Sequence, residues 1–143
     1  MSKLLNNYIT ASNAYPERLN SKELTPILID NANRFIAIIQ EFFEELGLNL
    51  ENYQISSGFR PSYVNATIGN AAKKSLHQQC LAIDIVDDQH QSLAKLMQQK
   101  ASLRKLKCIW LESPMSTQGK VTNWVHLDIS LTRPKRDSME FVP

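Results

Sequence analysis

The chain has 143 residues, of which 43% are hydrophobic and 21% charged, and a formal net charge of +2. That balance is ordinary for a folded globular protein, and the length suits one domain able to bury roughly two-thirds of its unfolded surface, so a single domain over residues 1–143 is expected. No internal repeat, low-complexity tract or run of about 20 apolar residues occurs, which argues against a solenoid, a disordered chain and a membrane span.

The opening "MSKLLNNYITASNAYPERL" reads as a polar entry segment without the apolar core of a secretory signal, so synthesis as a cytosolic chain is expected. The clearest helix follows in "LTPILIDNANRFIAIIQEFFEELGLNL", with Thr25 as N-cap, Pro26 at the first helical position and Gly47 as the stop. Its stripe of Leu28, Ala32, Phe35, Ile39, Phe42 and Leu46 recurs at helical spacing and predicts a core face. Tyr53 to Gly58 reads as a short strand, and "RPSYVNATIG" as a proline turn leading into a helical turn that ends near Gly69.

From Leu81 to Val86 the alternation puts Leu81, Ile83 and Ile85 on one face of a strand and Ala82, Asp84 and Val86 on the other, so Asp84 points away from the main apolar face. A helix is expected over about Gln91 to Leu103, then a strand in "KLKCIWLES" ending at Glu112, then an exposed loop, "SPMSTQGKVT". In "NWVHLDISL", Val125, Leu127, Ile129 and Leu131 face one way while Trp124, His126, Asp128 and Ser130 face the other. The tail "LTRPKRD" carries Arg133, Lys135 and Arg136 and reads as a solvated end; without a basic face and aromatic platforms, no nucleic-acid partner is expected. Cys80 and Cys108 form no CxxC pair and are expected to be reduced, largely buried thiols. The elements sum to an α+β fold, with helices packed on a mostly antiparallel sheet.

A catalytic zinc site needs three protein ligands of the His and Asp/Glu kind and an open position for water. His77, Asp84 and His126 supply that set; on the residues alone, the alternative is that both histidines are partly buried and merely hydrogen-bonded. His90, in "DDQHQ", reads as an exposed residue at a helix start.

"SGFRPSYVN", "SLHQQCLAID" and "WVHLD", in this order, resemble the successive motifs of the M15 zinc peptidases, the D-Ala-D-Ala carboxypeptidase and phage endolysin group that shares its fold with the hedgehog signalling domain. The family pattern runs S-G-[YF]-R, S-x-H-x-x-G-x-A-x-D, then W-x-H or V-H-x-D, and the resemblance covers Ile55 to Ile129. It implies that His77, Asp84 and His126 hold Zn2+, that Arg60 contacts substrate and steadies the oxyanion, and that Ser75 lies on the substrate side or forms the turn before the first ligand. The implied substrate is a peptidoglycan stem peptide, cut by D,D-carboxypeptidase or L-Ala-D-Glu endopeptidase action. The resemblance also implies action on the cell wall after release by a phage or prophage, or a place in a phage particle; the sequence leaves the oligomeric state open, with a monomer the favoured expectation.

Two positions depart from the pattern. Cys80 stands where the family has Gly, so either a residue with a Cβ makes a tight turn or the loop differs; its thiol is expected to be buried, with ligation of the metal as the alternative. Asn123 stands three positions before the last histidine, where many members carry the acidic general base. The role then falls to Glu112, at the end of "CIWLE", or to Asp128, which otherwise orients a ligand as a hydrogen-bond acceptor. If neither serves, the chain is a binding or structural module that keeps the fold and the zinc without hydrolysis.

Overall fold

The computed structural model describes residues 1–11, 16–68 and 75–143. Helix α1 (Lys3–Ile9) is followed by α2 (Pro26–Glu45), strand β1 (Ile55–Ser57), α3 (Ser62–Thr67), β2 (Ala82–Asp87), α4 (Ser92–Gln99), α5 (Ala101–Leu106), β3 (Trp110–Glu112), β4 (Asn123–Asp128) and β5 (Glu140–Phe141). The five strands form one sheet in the order β1-β2-β4-β3-β5, antiparallel throughout except for the parallel β3–β5 pair. The protein is thus α+β with a mostly antiparallel sheet, as expected.

Helix α2 forms where the sequence punctuates it. Thr25 accepts a hydrogen bond from the Leu28 amide, and Pro26 opens the first turn without wasting a donor. At the other end Gly47 takes φ +75°, while the Gly47 amide bonds Glu44 O and the Leu48 amide bonds Phe43 O, a Schellman closure. Ala32, Phe35, Ile39 and Phe42 are buried, Leu28 and Leu46 lie partly buried against them, and Ile36 and Phe43 widen the stripe. Ile83, Ile85, Val125 and Leu127 meet this face from the sheet, each aromatic or aliphatic side chain contributing about 1.5–3 kcal/mol on full burial.

Several expectations are corrected. The polar entry segment is helical: Leu4, Leu5, Tyr8 and Ile9 are buried, and the Tyr8 hydroxyl donates to Ala82 O at 2.8 Å. The helix expected over Gln91 to Leu103 breaks at Lys100, because the buried Arg104 turns back to donate from Nε to Met97 O at 2.8 Å and from Nη1 to Met139 O at 2.8 Å. Lys105 and Leu106 belong to α5, and Cys108 at φ +60° separates that helix from β3. Strand β4 ends at Asp128, and Leu131, expected on its apolar face, is exposed. Cys108 is only half-buried. The helical turn after Pro61 is α3; its expected end near Gly69 lies outside the described residues.

Gly58, between β1 and α3, lies so close to α1 that a Cβ there would overlap the Tyr8 carbonyl oxygen, while the adjacent Phe59 amide donates to that same oxygen at 3.3 Å. Gly58→Ala is expected to destabilise the protein by about 1–3 kcal/mol, read as a lower urea midpoint at unchanged slope. An unchanged midpoint would show that α1 can move away without cost.

Candidate metal centre

Three elements bring the site together. Asp84 lies on β2 directly opposite His126 on β4, the central strand of the sheet. His77 comes from the turn Leu76–Gln79, whose amides are held by a capping box: Ser75 Oγ accepts from the His77 amide at 3.2 Å, and Gln78 Oε1 accepts from the Ser75 amide at 3.0 Å. The Ser75 hydroxyl therefore caps the turn that carries the first histidine. Cys80 closes the same turn at φ +57°, ψ +39°, so the left-handed geometry suited to Gly is adopted here by a residue with a Cβ. Its thiol is buried in the core, and burial pushes its pKa up to about 12.

The side-chain donors of His77, Asp84 and His126 lie within 4.8 Å of one another. His77 Nε2 is 3.4 Å from Asp84 Oδ2, and His126 Nδ1 is 2.7 Å from Asp84 Oδ1. Each imidazole anchors its outer nitrogen elsewhere: His77 Nδ1 lies 2.8 Å from Gly58 O, and His126 Nε2 lies 2.9 Å from Asp128 Oδ2. The inner nitrogen of both rings is thereby turned toward Asp84. The chemistry of this donor set, two imidazole nitrogens and a carboxylate, suits a metal ion such as zinc, and ligating histidines commonly donate their second N–H to a carbonyl or carboxylate.

The charges interlock around Asp84. Burial alone would raise its pKa, but the charge on His77 and the hydrogen bond and charge of His126 outweigh burial and hold it far below the usual carboxylate range. Burial lowers the pKa of His77, against the pull of Asp84. Burial also disfavours the His126 imidazolium, yet Asp128 and Asp84 prevail and lift its pKa to about 10. Arg60 completes the cluster, donating from Nη2 to Asp84 Oδ2 at 3.0 Å and from Nε to Ser57 Oγ at 2.8 Å. Among the described residues its Nη1 has no hydrogen-bond partner.

Two carboxylates flank His126. Asp128, 1% exposed, is fully engaged: Oδ1 accepts from Arg133 Nη1 at 2.9 Å, and Oδ2 accepts from His126. Glu112 is half-buried at the end of β3, where continuing the Trp110↔Asp128 and Leu111↔Leu127 register sets it beside His126. Its carboxylate has no hydrogen-bond partner among the described residues. Burial raises its pKa, as do the charges of Asp84 and Asp128, while His126 and Arg133 oppose them. Asn123 is tied down instead, its amide donating to Asp88 O at 3.1 Å and accepting from the Gly119 amide at 3.3 Å. His90 is exposed and apart from the cluster, as expected.

A cleft of about 420 Å3 opens beside Asp84, lined by Arg60, Ser57, Val64, Ile68 and Trp124 among others. A smaller hollow of about 220 Å3, between α1 and β1, shares none of these residues. Sequence reasoning missed the Gly58 carbonyl, Phe141 and Arg133; the last lay in the tail read as solvated.

An α+β fold in which two neighbouring strands and an adjoining turn bring two histidines and an aspartate together beside an open cleft defines a candidate metal site. The sequence model of the Peptidase M15 family matches residues 19–128, and the chain belongs to that family of generally metal-dependent peptidases. Comparison with curated proteins and with solved structures gives no match.

Proposed function

We propose that the protein is a zinc-dependent peptidase that hydrolyses peptide bonds in peptidoglycan stem peptides. The observation that carries this reading is the convergence of His77, Asp84 and His126, with both imidazoles anchored on one nitrogen and turned toward Asp84 on the other. Three protein donors beside an open cleft are the arrangement of a catalytic rather than a closed structural zinc site. The chemistry a zinc ion supplies at such a site is Lewis acidity toward the scissile carbonyl and toward water.

The chain's own groups do the rest. Glu112, half-buried and without a hydrogen-bond partner among the described residues, takes the proton from the attacking water and returns it to the leaving amine; its raised pKa suits both directions of transfer. Arg60 is fixed through Nε and Nη2, so its Nη1 can meet the negative charge that grows on the carbonyl oxygen without reorganising. Trp124, with Val64 and Ile68, offers an apolar wall for the stem peptide in the cleft. Release by a phage or prophage, or a place in a phage particle, is the setting we assign to this activity, with the enzyme working as a monomer and without a nucleic-acid partner.

Elemental analysis of protein purified without chelator is expected to give about one zinc per chain, lost in His77→Ala, and zinc-loaded protein is expected to release fragments from purified cell walls. A wild-type protein that takes up no zinc even when it is added back would sink the metal reading. Asn123 at the usual general-base position favours a second reading, a binding module without hydrolysis. Zinc-replete protein inert on cell walls would select it.

A further inference from the structure

The family-matched stretch ends at Asp128, yet the residues that follow return to the metal centre. After β4, Ser130 Oγ accepts from the Arg133 amide at 3.0 Å, a local turn that reverses the chain. Arg133 thereby reaches back to Asp128 with a forked pair of bonds, Nη1 to Oδ1 at 2.9 Å and Nη2 to Oδ2 at 3.4 Å. Its guanidinium lies 3.7 Å over the Phe141 ring and 4.8 Å from the Trp110 ring centre. Phe141, on β5, in turn packs edge-on against His126 at 5.7 Å between centroids. A cation so placed is not a solvated tail residue. Its side chain is 22% exposed, and its carboxylate partner only 1%.

We propose that Arg133 is a positioning residue: it fixes the Asp128 carboxylate, which fixes the His126 ring through Nε2 so that Nδ1 is presented to Asp84. A carboxylate accepting from His126 alone would be free to rotate. Held by a planar fork that is itself stacked on two aromatic rings, Asp128 has one orientation, and so does the imidazole it holds. Lysine cannot reproduce the fork. The inference rests on His126 being the third metal donor, but the ring's orientation can be read without metal.

The test uses the full chain labelled with 15N-histidine, as wild type, Arg133→Gln and Arg133→Lys. The His126 Nε2–H proton is followed by NMR in metal-free protein, and zinc affinity is measured separately by chelator competition. Wild type should show a slowly exchanging Nε2–H; in Arg133→Gln its exchange should quicken about tenfold or more and zinc affinity should fall on the order of tenfold, with Arg133→Lys between the two. Should Arg133→Gln fail to fold, Arg133→Lys, which keeps the charge and the stem over Phe141, carries the same comparison. Exchange and zinc affinity within about twofold of wild type in a folded variant would overturn the proposal while leaving the metal reading intact. A wild type that takes up no zinc but shows the predicted exchange difference would do the reverse.

Discussion

Glu112→Gln is expected to bind zinc as wild type does and to lose turnover by about 10^2–10^4-fold, the usual worth of a general acid–base group. The substitution keeps the side chain's shape and removes only its ability to hold a proton. Because Glu112 is no member of the His77–Asp84–His126 donor group, metal content should not change. KM should move little, since the cleft walls are untouched and the loss falls on the chemical step. Undiminished turnover would remove Glu112 from the mechanism and leave Asp128 as the other carboxylate beside His126. That outcome would demand that Asp128 serve while bound to both His126 and Arg133.

His126→Ala is expected to abolish both zinc binding and hydrolysis, and to destabilise the metal-free protein as well. Removing the ring takes one of the three proposed metal donors and also the cation that stands between Asp84 and Asp128. Breaking a buried pair by deleting one partner costs about 3–5 kcal/mol, because the remaining charges are left uncompensated. For a chain of this size the melting temperature should drop on the order of 10 °C. Zinc content by elemental analysis and thermal unfolding in chelator separate the two effects. A variant that melted with wild type in chelator would show that Arg60 and Arg133 suffice to neutralise the carboxylates.

The parts of the fold legible in the sequence are those in which one local rule dominates. Strand β4 could be read because Val125 and Leu127 enter the core while His126 keeps to the other face, and α2 because Thr25, Pro26 and Gly47 mark its ends. The missing parts depend on distant partners. Helix α1 spans seven residues, too few for a convincing period, and is held by Tyr8 reaching Ala82. The break at Lys100 follows from a buried arginine drawn to carbonyls on either side of it, a conflict no local propensity encodes. Strand β5 has two residues and exists only because β3 is beside it.

The site divides the same way. His77, Asp84 and His126 could be grouped from motif order, and the structure places their donors together; the register of β2 and β4 sets Asp84 opposite His126. That Cys80 adopts a left-handed turn and buries its thiol could be framed from its place in the motif but not decided there. What could not be foreseen is the direction of Arg133, because a basic tail looks alike whether it meets water or a buried carboxylate.

The seat of α1 also bears on how the chain acquires its shape. Tyr8 and its acceptor on Ala82 are 74 residues apart, so during synthesis α1 must wait for β2 before it is covered. At roughly 5–20 residues per second that wait lasts several seconds, during which Leu4, Leu5, Tyr8 and Ile9 stay open to water and to other nascent chains. Such distant closures favour slow folding and an early need for chaperones. Refolding from urea should accordingly slow as protein concentration rises, through transient association of the uncovered helix, and Leu5→Lys should relieve that dependence at some expense in stability.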